Sequence, residues 1–135
     1  MLNCNRAKKQ NTVVDNNTEI AETLSFDEFI TQFSADSNFQ LQHIAFPLTV
    51  FVPKNDTMET ENDTTYYLSR KDWKFIDLAD ASKYPTVEKV MFEKQKTDNG
   101  FELLVKGNDS GIYISYFFEK KNDMWILTGM EDRSM

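Results

Sequence analysis

Cysteine is almost absent from this chain. A single Cys4 in 135 residues excludes an internal disulfide framework and any zinc site built on several thiolates. Histidine is equally scarce, so no pair or triad of histidine ligands can form and His43 is the sole imidazole. Four glycines and three prolines leave few positions for the phosphate-cradling or nucleotide-binding loops that glycine-rich motifs build, and none of those motifs occurs. Positive charge is in deficit: 15 Lys and Arg stand against 22 Asp and Glu, for a net charge of -7. That balance argues against a nucleic-acid partner, because release of phosphate counterions needs clustered basic residues. No apolar run approaches the roughly 18 residues that a membrane-spanning helix needs, and the chain as given starts without a complete signal peptide.

What is abundant is phenylalanine. Eleven Phe, five Tyr and two Trp supply enough large side chains for one core, and the length suits one domain. Residues 1–22 are polar, rich in Asn, Lys and Thr, and lack a sustained period; they read as a tether. Residues 23–135 read as a single domain. Ser25 followed by Glu28 has the spacing of a capping box, and Phe26, Phe29, Ile30 and Phe33 then recur at helical intervals, which predicts a short amphipathic helix with an aromatic stripe toward the core. The turn-rich Ser34 to Asn38 breaks it and has room for a second short helical turn. From Gln40 the period moves toward two, with Ile44, Phe46, Leu48, Val50 and Val52 on one side of a strand. Pro47, lacking a ladder donor, belongs at an edge, bulge or bend.

Downstream, the acidic segment Asn55 to Asp63 reads as a solvated loop, since it lacks the order and the turn glycine of a calcium site. Thr64 to Arg70 reads as a strand, and the type of Lys71 to Asp80 stays open. Four further strands are expected over Thr86 to Gln95, Gly100 to Gly107, Gly111 to Lys121 and Met124 to Met130. Short polar turns separate them, which gives an antiparallel meander. The fold class expected is α+β, with one or more N-terminal helices packed on a strongly curved antiparallel sheet.

The run from Phe26 to Leu48, "FDEFITQFSADSNFQLQHIAFPL", with "KDWKFIDL" and the closing "YFFEKKNDMWILTGMED", resembles a bacterial family of unknown function whose domain has the nuclear-transport-factor-2-like, cystatin-related fold. The resemblance covers the chain from about Ser25 to its end. It implies a bent sheet wrapped round helices, forming a cone with a pocket at its mouth, in proteins commonly secreted or lipid-anchored. In that family position 43 is often a basic residue such as Arg, where this chain has His43. The superfold hosts isomerases, dehydratases, hydrolases and non-catalytic domains, so fold does not decide function.

Two function classes follow. One is a non-enzymatic binding or accessory domain of the bacterial envelope, holding a small apolar or amphipathic ligand in the cone or presenting a surface to a protein. The other is a small isomerase- or hydrolase-type enzyme using a pocket carboxylate or His43. The first helix offers no tyrosine as a hydroxyl donor, which weakens the isomerase branch. The residues that could meet at a mostly apolar pocket are His43, Tyr67, Trp73, Tyr116 and Trp125. The plainer role for His43 is a hydrogen bond beside the sheet, and for the tryptophans it is core or rim anchoring. No metal or cofactor is expected. Phe51, Tyr113 and Phe117 look surplus to one core and suggest a homodimer through the outer sheet face. Cys4, in "LNC", is the expected lipid-attachment site, which would place the native precursor in the periplasm or on the outer membrane.

Overall fold

A computed structural model describes residues 24–53, 64–86, 88–108 and 111–134. The proposed tether with Cys4 and the acidic loop lie outside the described residues. Helix α1 spans Phe26–Phe33 and starts as its sequence requires: the Ser25 hydroxyl accepts from the Glu28 amide while the Glu28 carboxylate accepts from the Ser25 amide. Phe26, Phe29, Ile30 and Phe33 are all buried. A second helix, α2, spans Ser37–Gln42, capped by the Asp36 carboxylate on the amides of Asn38 and Phe39. Helix therefore continues through Gln42, past the point at which the sequence pattern turns toward a strand.

Six strands follow: β1 (Ile44–Val52), β2 (Thr64–Leu68), β3 (Val90–Lys96), β4 (Gly100–Gly107), β5 (Tyr113–Lys121) and β6 (Met124–Asp132). They form one sheet in the order β2-β1-β6-β5-β4-β3. The meander β3 to β6 is antiparallel throughout, as its tight turns demand. The sheet as a whole is mixed, because β1 runs parallel to β6. That pairing joins the first strand to the last and comes from chain topology, which no local pattern encodes. Pro47, preceded by a cis peptide bond, lies where the β1–β6 register shifts between Ile44 and Thr49. The prolyl ring thus falls at a bulge, where its missing donor costs no ladder bond.

One face of the sheet carries the core. Phe26 stacks on Phe101 at 4.6 Å and meets Phe118 and Trp125 edge-on, and Phe29 and Phe33 meet Phe118 edge-on. At the start of β4, Gly100 is required by crowding: a Cβ there would lie 2.0 Å from the Phe118 carbonyl oxygen.

Residues 70–86 form a strap over the remaining core face, held by two short turns, Arg70–Asp72 and Ala81–Lys83. Its anchor is Gln40, whose side chain is fully buried. The amide nitrogen donates to the carbonyls of Phe33 (2.7 Å) and Ile76 (2.8 Å). The amide oxygen accepts from the Trp73 indole (2.8 Å) and the Ile76 amide (3.1 Å). Close by, the Ser34 hydroxyl accepts from the Leu78 amide at 2.8 Å.

Two substitutions test this packing. Phe29→Ala, which opens a void in a side chain only 1% exposed, is expected to cost about 3–5 kcal/mol in denaturant titration. Gln40→Leu keeps the bulk but strands four buried groups, and is expected to cost on the order of 3 kcal/mol. An unchanged midpoint for Gln40→Leu would show that the strap is not held by this amide.

Candidate functional site

The core face carries both fully and partly buried side chains at each end, Phe101 beside Phe26 being among the partly buried ones. Under α1, Phe118 and Leu127 are completely buried. Toward the other end, Phe92, Ile114 and Met130 pack against the core yet remain only partly buried. Strand register ties this end together. Tyr116 pairs with Met130 on one side and with Leu103 on the other, and Ile114 pairs with Asp132 and with Val105. Alternation places Tyr116, Ile114, Met130 and Asp132 on the same core-facing side.

Across this region the strap lays down Tyr84, whose ring meets Phe92 edge-on at 6.1 Å. Its hydroxyl lies 2.8 Å from that of Tyr116, and both residues are buried. Burial pushes both phenols up, Tyr116 much further than Tyr84. The nearby carboxylate of Asp132 raises both again, because a phenolate would face a negative charge. Each hydroxyl therefore stays protonated at neutral pH. The pair shares one hydrogen bond, which leaves a second proton and several lone pairs for a third polar group. Among the described residues no carboxylate hydrogen-bonds to either phenol. Nor does any cluster of three or more His, Cys, Asp or Glu side chains stand ready to hold a metal among them.

The five residues singled out from the sequence occupy separate settings. His43 is buried, its ring stacked on Phe39 at 4.0 Å, with Nδ1 2.7 Å from the Phe39 carbonyl. That oxygen can only accept, so Nδ1 carries the proton. Trp73 is spent on Gln40. Trp125 is buried and donates to the Leu24 carbonyl at 3.2 Å. Tyr67 is 63% exposed on β2. Tyr116 belongs to the hydroxyl pair. None of the five lines the described cavities of about 360, 290 and 530 Å³. Tyr84 does: it borders the cavity of about 360 Å³ together with Ser82, Thr86, Glu88, Lys89 and Val90.

Tyr84 and Asp132 carried no sequence signal toward a site. Tyr84 falls in an irregular stretch without a period, and Asp132 lies beyond the expected end of its strand.

The outer face of the sheet is more mixed. Phe51 and Phe117 are half-buried there and Tyr113 is 41% exposed, beside the Glu93–Lys106 and Glu131–Arg133 ion pairs. A hydrogen bond of 2.5 Å joins the Ser115 hydroxyl to Glu102.

The phenol pair makes alkaline stability a readout of its burial. In the unfolded chain both hydroxyls ionise near the ordinary value of 10.0, whereas in the fold they hold their protons longer. Stability is therefore fully present below that value and falls as pH rises through and beyond it. Tyr116→Phe is expected to flatten this fall in denaturation midpoints measured between about pH 9 and 11. Parallel curves for the two proteins would mean that Tyr116 is not buried as described.

Comparison with known proteins gives the architecture its relatives. No protein-family model and no curated protein matches the sequence. Among solved structures, an NTF2-like protein from Bacteroides fragilis NCTC 9343 superposes with a TM-score of 0.57 at 25% identity over 83% of this chain. The chain spans about half the length of that protein, 48%. A protein from Bacteroides uniformis ATCC 8492 superposes with a TM-score of 0.50 at 19% identity, covering 82% of this chain and 76% of its own. An NTF2-like protein of unknown function from Shewanella baltica OS155 gives a TM-score of 0.41 at 12% identity over 92% of this chain and 98% of its own, too low to argue from. Two short helices on a curled, unclosed sheet of six strands, together with the first of these likenesses, make this an α+β domain of the NTF2-like fold.

Proposed function

We propose that the domain is a non-enzymatic binding module that holds a small amphipathic ligand at the open end of its core face. The observation that carries this reading is the Tyr84–Tyr116 hydroxyl pair, buried beneath side chains that the fold leaves only partly covered. Apolar walls meeting a few convergent polar groups are the ordinary chemistry of a small-molecule pocket. Phe92, Ile114 and Met130 supply the walls, and the phenols supply a donor and acceptors that fix orientation. Catalysis is less well supported, since general acid–base work needs a group whose proton moves near neutral pH, and both phenols are held protonated. His43, the other base considered, is engaged with Phe39 and packed between rings.

The same proposal places the domain in the bacterial envelope, attached through Cys4 and held off the membrane by residues 1–22. Its support is the cysteine near the start of a polar segment and the resemblance that runs from Ser25 onward.

Decanol, a neutral amphiphile, is a suitable probe. Titrated into the full chain, it is expected to shift the NMR signals of Tyr116, Ile114 and Met130 saturably. Tyr116→Phe should weaken binding about fivefold to tenfold through the lost hydrogen bond. Shifts that cluster on another surface, or that never saturate, would remove the pocket.

A further inference from the structure

Resting on that reading, we infer that the pocket is built for a cationic head, an organic amine whose apolar part lies along the core face. The position of Asp132 carries the inference. It follows Met130 by two residues on β6, on the same face, so it stands diagonally beside Tyr116, which pairs with Met130. Asp132 is half-buried there, at the last residue of β6.

Asp132 accepts a hydrogen bond from the Ser134 amide at 2.9 Å, and among the described residues it has no basic partner. Three other strand-borne acids have partners. Glu93 is paired with Lys106 and Glu131 with Arg133, and Glu102 accepts from Ser115, all on the outer face. Of the lysines on the core-facing side, Lys94 sends its ammonium to Asp27 at 2.6 Å, Lys96 lies over Phe101 and Lys120 over Trp125.

An ammonium head would meet three kinds of group at this mouth. The Asp132 carboxylate offers charge, the phenol oxygens offer acceptors, and the ring faces of Tyr84 and Phe92 offer the negative side of their quadrupoles. A carboxylate head would meet repulsion from Asp132 instead, and an alcohol would gain only hydrogen bonds. The chain's net charge of -7 works in the same direction.

Three probes with the same tail separate the possibilities: decylamine, decanol and decanoate, titrated into the full chain at neutral pH and moderate salt. Decylamine is expected to bind about tenfold more tightly than decanol, and decanoate more weakly than either. Asp132→Asn keeps an acceptor for the Ser134 amide and is expected to bring decylamine down to the level of decanol. Glu119→Gln, which removes one charge elsewhere on β5, should leave the preference intact. Equal binding of decylamine and decanol to the native chain would overturn this inference and leave the binding module standing. A preference for decylamine that survives Asp132→Asn would assign it to overall charge and overturn the inference as well. Failure of all three probes to bind would overturn both readings.

Discussion

The buried amide of Gln40 is the interaction on which the arrangement depends. Alone, α1, α2 and the meander make a helix-on-sheet layer; the strap of residues 70–86 has almost no regular structure with which to hold itself in place. One side chain at the centre of α2 satisfies a carbonyl at the end of α1, both backbone groups of Ile76 and the indole of Trp73. Every hydrogen-bonding group of that amide has a partner, so its burial is compensated, and the low dielectric around it strengthens each bond. Ile76, Leu78 and Tyr84 can then be laid onto the core.

Fixing the strap also decides what kind of pocket the fold can offer. The aromatic stripe of α1 packs one end of the core face with rings in edge-on and stacked contact, and a cavity of about 290 Å³ bordered by Phe26 and Ile30 lies beside it. The strap reaches the other end with a single large side chain, Tyr84, whose hydroxyl shares a hydrogen bond with that of Tyr116. Beyond it the strands continue and their apolar side chains are only half covered. The proposed recognition site lies where the covering element ends before the sheet does. The proposed opening would have the phenols at its floor and the carboxylate of Asp132 beside them.

Much of the frame was legible in the sequence. The capping box at Ser25, the four apolar positions of α1, the succession of the last four strands and the bulge proline all rest on local rules, and all appear where those rules put them. Boundaries moved where neighbours intervened: α2 runs to Gln42, and β3 begins at Val90 rather than Thr86. The site was far less legible. Of the residues singled out, Tyr116 alone enters the hydroxyl pair. His43, Trp73 and Trp125 instead satisfy Phe39, Gln40 and Leu24, partners that sequence spacing does not reveal.

By itself, the sequence determined that the fold is α+β, which faces of α1 and the strands are apolar, and that four strands follow one another as a meander. These depend on periodicity and turn chemistry, which act over a few residues. Tertiary structure alone decided that β1 lies parallel to β6, that Gln40 serves as the strap's anchor, and that Tyr84 meets Tyr116 beside Asp132. Each of these joins groups distant along the chain, such as the two phenols, 32 positions apart. Such partners are chosen by the path of the backbone and by the need to satisfy every buried polar group, and neither leaves a mark on local composition.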